Sequence, residues 1–381
     1  MRVIITGGGT GGHTSAGLAV AAALRDRGCH DLHWIGSRDG IEARRVPEAG
    51  LPFHAIATGK LRRYWDWQNV PDLALRAPAG AVQAWALLRR LRPSVVFATG
   101  GFVSLPASIA AWMLGIPVVI HEQTSVPGLA NRIAGRFARH IALAFPPDGT
   151  FPEARVTVTG NPLRPELAGG SRDEACRRFG LDPGAPIVYV TGGSLGSHRI
   201  NRTVGAVLDE LLETCQVIHQ CGDNRETGDH AWLGERRRAL ARSRQARYAL
   251  TTYVGAELRH VYAAADLVVG RSGAGTVNEC CQLGRAAVYI PLPGTSGEEQ
   301  TENARLVEAA GGAILVPQTA LTAAGLLGVV RELSSDAARL RAMGARAQSL
   351  AVPDAAARIA RLLFDVAGAT PRPVACDREA R

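Results

Sequence analysis

The sequence holds no D-x-D pair, no C-x-x-C pair and no cysteine and histidine spacing of the zinc-site kind. The first absence excludes a nucleotide-sugar site that chelates its metal through paired aspartates, and the others leave no metal to be expected at all. Its seven cysteines, an odd number, read as reduced thiols of the cytoplasm. Aromatic residues make up only 5% of the chain and never interleave with basic ones in an RNA-binding signature, so nucleic acid is not an expected partner. Met1 and Arg2 run directly into the apolar strand Val3 to Ile5, which is neither a signal nor a transit peptide. The stretch Pro93 to Ile120 carries no charge, yet Gly100, Gly101, Pro106, Gly115 and Pro117 cut it into strand, turn, helix and strand. A buried βαβ unit is expected there.

What is present begins with size. A chain of 381 residues exceeds what one core usually organises, so two domains are expected. A net charge of +9 asks for an anionic partner. Short β-rich runs such as DLHWIG, SVVFATGG, IPVVIHEQ, HIALAF and RVTVTGNP alternate with helical segments, the pattern of a parallel α/β sheet. After a stretch rich in Pro, Gly and charge the scheme restarts at IVYVTGGSLGSH, and CQVIHQCGD, DLVVGRSG and AAVYIPLP continue it. The expected fold class is α/β: two doubly wound Rossmann-like domains facing a cleft. Their junction is expected near Gly160 to Gly170.

The turn TGGGTGGH (Thr6 to His13) and its near-copy TGGSLGSH (Thr191 to His198) each follow a strand and open a helix. Backbone N–H groups at a helix N-terminus favour an anion, so each turn is a candidate half-site. Gly7, Gly9 and Gly12 satisfy G-x-G-x-x-G, but the next strand ends in Gly36, Ser37 and Arg38, without the ribose-binding acid of a dinucleotide site. A dehydrogenase is disfavoured; tight strand-to-helix packing and ligand binding both stay open for these glycines. In GRSGAGTVNECCQLG the turn Arg271 to Gly275 opens a helix carrying Glu279. Bare amides there suit a diphosphate, and Glu279 can accept from a ribose diol. GEEQTENA places Glu299, Gln300 and Asn303 where sugar hydroxyls or a helix cap are the alternatives.

GGGTGGH, HEQxxxPGxxNR (His121 to Arg132), GNPxR (Gly160 to Arg164), GGSxG (Gly192 to Gly196), GRSGAxTxxE (Gly270 to Glu279) and EQTENA (Glu299 to Ala304) occur in that order. Together they resemble the MurG family of peptidoglycan N-acetylglucosaminyltransferases, which has the GT-B fold and belongs to glycosyltransferase family 28. The resemblance runs from residue 1 to about 365. It implies inverting, metal-independent transfer of GlcNAc from UDP-GlcNAc to the 4-hydroxyl of undecaprenyl-diphospho-MurNAc-pentapeptide, with no cofactor.

The resemblance further implies an acceptor and membrane-binding domain over 1–162, completed by a returning helix over 352–367, and a UDP-GlcNAc-binding domain over 163–351. A tail over 368–381 is expected to be disordered. Thr10, Gly11 and Gly12 would reach phosphates, Arg164 and Ser194 the nucleotide, Ala274 and Glu279 the sugar and ribose, Val254 the uracil through its backbone, and Gln300 the GlcNAc hydroxyls. Arg271 and Ser272 belong to the same donor set, as does Thr124; His121, Glu122 and Asn131 are assigned to the acceptor side, with a structural role in orienting the PGLANR loop as the equal alternative for His121 and Glu122. Ser15, Ala16, Thr124 and Leu195 depart from the family pattern and bear on acceptor identity.

His13, at the first helix start, is the candidate general base, with helix capping or a phosphate contact as the alternative. His198 reads as a helix cap or phosphate contact. The run from Lys60 to Pro93 mixes Trp65, Trp67, Leu73, Leu75, Val82, Trp85, Leu87 and Leu88 with Arg62, Arg63, Arg76, Arg89, Arg90 and Arg92. With Trp112 it is expected to dock on the anionic cytoplasmic leaflet of the plasma membrane, each cation adding about 1 kcal/mol; an ordinary amphipathic helix on the sheet is the alternative. A transferase for another glycolipid or an antibiotic precursor, and a UDP-GlcNAc epimerase of similar fold, are the competing functions. The epimerase would want further acid and base groups that the sequence does not offer.

Overall fold

A computed structural model gives the fold and describes residues 1–9, 11–58, 77–147, 149–163, 165–167, 169–295 and 298–368. Thr10, Arg164, the residues 59–76 with Arg62, Arg63, Trp65, Trp67, Leu73, Leu75 and Arg76, and the tail after Gly368 lie outside the described residues. The chain divides into two compact units, residues 1–164 with 352–381, and residues 165–351.

The first unit carries β1 (Arg2–Thr6), β2 (Asp31–Ser37), β3 (Phe53–Ile56), β4 (Val95–Ala98), β5 (Val118–Glu122), β6 (His140–Leu143) and β7 (Val156–Val158). They form one sheet in the order β3-β2-β1-β4-β5-β6-β7, parallel throughout. The second unit carries β8 (Ile187–Thr191), β9 (Gln216–Gln220), β10 (Tyr248–Thr251), β11 (Leu267–Gly270), β12 (Ala286–Tyr289) and β13 (Ala313–Leu315). Its order, β10-β9-β8-β11-β12-β13, repeats the first, again all parallel. Each is the doubly wound order, with a switch point between β1 and β4 or between β8 and β11. The strands on either side of each switch point are apolar on both faces, because helices cover both faces of a parallel sheet.

In the first unit one face packs Val3, Ile5 and Trp34 against Val20 and Leu24 of the helix Gly11–Asp26 and Ile359, Leu363 and Phe364 of the helix Ala355–Val366. The other face packs Ile4, Ile35 and Val96 against Ala84 and Leu88 of the helix Ala77–Leu91 and Ala107 and Ala110 of the helix Ser104–Met113. Leu88 is therefore core, and Trp85 and Leu87 pack partly against it. Val82, Trp112 and Met113 stay exposed, at 66%, 56% and 65%. Pro93 to Ile120 folds as strand, helix and strand, and no helix among the described residues is long and apolar enough to cross a membrane.

Candidate active site

The switch point of the first unit is closed by the glycine turn after β1 and the Thr99 to Gly101 turn after β4. Trp34 Nε1 donates to the Gly7 carbonyl at 3.1 Å, tying the turn to β2. Past the turn the helix Gly11–Asp26 starts, and His13 lies in its first turn, half-buried. Its Nδ1 stands 2.7 Å from the Thr99 carbonyl oxygen. A carbonyl only accepts, so Nδ1 carries the proton and Nε2 keeps its lone pair. Burial lowers the His13 pKa below the usual histidine value, opposed by the charge of Glu122, the Thr99 carbonyl and the charge of Glu42. The neutral imidazole, with an acceptor at Nε2, is the form a general base needs.

Beside it, β5 ends in His121 and Glu122, both buried. His121 Nε2 donates to the Gly160 carbonyl at 3.1 Å, and burial pushes its pKa down to about 4. Glu122 accepts from the Thr124 and Gly128 amides, both at 3.0 Å, and from Asn131 Nδ2 at 2.9 Å. Thr124 Oγ1 lies 2.7 Å from both Glu122 Oε1 and the Val126 carbonyl. Asn131 also donates to the His121 carbonyl at 3.1 Å. Glu122, Thr124 and Asn131 thus fold the loop 123–131 onto itself, while His121 ties the end of β5 to the Gly160 turn.

In the second unit the turn after β8 runs through Gly192, Gly193 and an exposed Ser194 to the helix His198–Ala206, whose N-cap is Ser197. Gly196 has φ +76°, and a Cβ there would stand 1.8 Å from the Cys221 carbonyl oxygen. Leu195 is 76% exposed. Gln220 braces the turn: Nε2 donates to the Gly193 carbonyl at 2.9 Å, and Oε1 accepts from Tyr189 and from the Val254 amide, both at 3.1 Å. The Val254 N–H is thus taken by Gln220. His198 Nδ1 meets the buried carboxylate of Asp229 at 2.8 Å.

After β11 comes the helix Ala274–Gln282, capped by Gly273 with no side-chain acceptor for its first amides. Arg271 stands behind this helix start. Its Nη1 donates to the Ile290 and Pro291 carbonyls at 2.9 and 3.0 Å, and its Nη2 to Ser197 Oγ and Gln318 Oε1 at 2.8 and 2.6 Å. All four Nη hydrogens are engaged, and no carboxylate faces the group among the described residues. Burial lowers its pKa to about 10, so it remains a cation without a counter-anion. Arg271 thus stands as a fixed positive charge behind the bare amides of the helix start, its Nη hydrogens held by protein acceptors. Ser272 is likewise turned inward, donating to the Gln300 carbonyl at 2.7 Å. Glu279 Oε2 accepts from Tyr262 at 2.7 Å, and Gln300 Oε1 from the Leu292 amide at 3.0 Å. Ala274, Gly275 and Thr276 stay partly open at the helix start, as do Gly11 and Gly12 at theirs. Sequence reasoning missed Glu42, Gln220 and Asp229, none of which sits in a glycine turn or a motif.

Comparison with known proteins bears on the same segments. The glycosyltransferase family 28 N-terminal domain matches residues 3–143, and the glycosyltransferase family 28 C-terminal domain residues 187–359. A Nocardioides sp. protein named UDP-N-acetylglucosamine–N-acetylmuramyl-(pentapeptide) pyrophosphoryl-undecaprenol N-acetylglucosamine transferase is 42% identical, over 96% of this chain and 98% of its own. The crystal structure of Acinetobacter baumannii MurG superposes with a TM-score of 0.72 at 27% identity, covering 96% of this chain and 99% of that one. A Neisseria meningitidis UDP-GlcNAc 2-epimerase reaches a TM-score of 0.67 at only 12% identity, covering 96% and 99%, and so shares the fold alone. With both domain models matched in order and a 42% identical relative aligned along nearly its whole length, the chain belongs to glycosyltransferase family 28, in its MurG branch.

Proposed function

We propose that the protein transfers GlcNAc from UDP-GlcNAc to the 4-hydroxyl of undecaprenyl-diphospho-MurNAc-pentapeptide, with inversion, forming the lipid-linked disaccharide precursor of peptidoglycan. The observation that carries this reading is the 42% identity, over 96% of the chain, to a protein whose name states both substrates. The acceptor belongs to the first unit and the nucleotide sugar to the second.

Inversion by single displacement needs a base for the attacking hydroxyl and stabilisation of the departing UDP. His13 supplies the first through Nε2, its tautomer held by the Thr99 carbonyl. The imidazolium formed on proton transfer faces the charges of Glu122 and Glu42. The open amides at Ala274 to Thr276, backed by the Arg271 cation, meet the growing negative charge of the diphosphate. Trp112 and Met113, exposed beside one another, favour peripheral attachment at the anionic cytoplasmic leaflet that holds the lipid acceptor.

The test is UDP release from UDP-GlcNAc in EDTA, with and without a short-chain analogue of the lipid acceptor. Release only with acceptor is expected, and His13→Ala is expected to lose about 10²–10⁴-fold in turnover. Conversion of the sugar without acceptor would replace this reading by the epimerase.

A further inference from the structure

The first glycine turn is built around a carboxylate. Glu42 opens the helix Glu42–Glu48 and is fully buried. Its Oε2 accepts from the Gly9 amide at 3.1 Å, and its Oε1 from the Ser37 amide at 3.0 Å and Ser37 Oγ at 2.8 Å. Every neighbour is a donor, the arrangement of an anion satisfied by oriented backbone dipoles rather than by a counter-cation. Two glycines are shaped to it: a Cβ on Gly8 would lie 2.2 Å from Glu42 Cδ, and one on Gly40 would lie 2.2 Å from Oε1. A dinucleotide phosphate would need the amide that Glu42 already occupies. The G-x-G-x-x-G turn therefore carries its own anion, and what it presents outward is the helix start with His13.

The geometry points to Glu42 as a positioning residue for His13: its buried carboxylate holds the Gly9 end of the turn that leads into the His13 helix, and its negative charge acts on the imidazole across that turn without touching it. Among the described residues three titratable groups act on His13: Glu42 from the helix Glu42–Glu48, and His121 and Glu122 from the end of β5. His121 is held neutral by burial, so the two carboxylates set the field. Both favour the protonated imidazole, and thus the state reached once the acceptor hydroxyl has given up its proton. This inference rests on the base reading of His13 for its effect on rate, but not for its effect on titration.

The experiment is an NMR titration of the full chain labelled at histidine ¹³Cε1, the His13 signal being identified by its loss in His13→Ala. In Glu42→Gln the His13 midpoint should move to lower pH than in the wild type. The acid limb of kcat/KM should move with it, and turnover should fall roughly tenfold, part of the about 10²–10⁴-fold that a general base supplies. Glu42→Asp, which draws the carboxylate back from Gly9, should move the midpoint the same way by less. A wild-type midpoint in well-folded Glu42→Gln overturns the proposal; if that variant does not fold, a wild-type midpoint in Glu42→Asp does so. Should His13→Ala keep its turnover, the base reading falls while the midpoints still decide the role of Glu42.

Discussion

His121 and His219 are wholly buried, one in each unit, and both are neutral for the same reason. Tyr248 donates to His219 Nδ1 at 2.9 Å and His219 Nε2 donates to Asn201 Oδ1 at 3.0 Å, so the neutral ring is satisfied at both nitrogens. Burial pushes His219 down to about 3 and His121 to about 4. Unfolded histidines titrate near 6.5, so the unfolded chain takes up protons that the native state refuses. The contribution to stability is complete above about pH 6.5 and is lost as the pH falls from there toward the folded values, by up to about 1.4 kcal/mol per pH unit for each histidine. The urea midpoint should accordingly be lower at pH 5.5 than at pH 7.5, with an unchanged slope; coincident curves would contradict it. Residues of this kind also mark where reading the sequence stops. His13 was legible because it ends a glycine turn, whereas Glu42 sits in GIEARR like any acidic residue of a first helical turn. Only the fold brings Gly8, Gly9 and Ser37 around it.

Among the elements, the runs that identified themselves are those with both faces covered, such as β4, β5 and β8, buried at every position. No sequence run pointed to β3, β10 or β13, and all three lie at sheet edges. Their patterns are only partly buried, as at sheet edges, so they lack the fully apolar signature of a strand covered on both faces. The two glycine turns were legible for the opposite reason, since each needs glycine where a neighbour leaves no room for a Cβ: the Glu42 carboxylate against Gly8 in the first, the Cys221 carbonyl against Gly196 in the second. Gly196→Ala tests this at the second turn. Its positive φ costs roughly 1–2 kcal/mol for any other residue, and the Cys221 carbonyl leaves no room for a Cβ. UDP binding, read by calorimetry, should weaken at least tenfold and the unfolding midpoint should drop; wild-type values for both would show the turn to be pliable.

The molecule as a whole carries an excess of positive charge, +9, with exposed Trp112 and Met113 on the first unit. Attachment to lipid by this combination is weak for each group and additive, and salt screens its electrostatic part. Co-sedimentation with vesicles rich in phosphatidylglycerol should therefore fall with rising salt and fall further in the double variant Trp112→Ser, Met113→Ser, while neutral vesicles bind little. Equal binding to both vesicle types would argue against a charge-assisted contact.

The helix Ala355–Val366 sets a further condition on the whole chain. Ile359, Leu363 and Phe364 close the face of the first sheet that Val3, Ile5 and Trp34 open. During synthesis that face emerges first and its cover last, with the entire second unit made in between. The first unit can therefore close only after the second has been made, and until then part of its sheet face stays open.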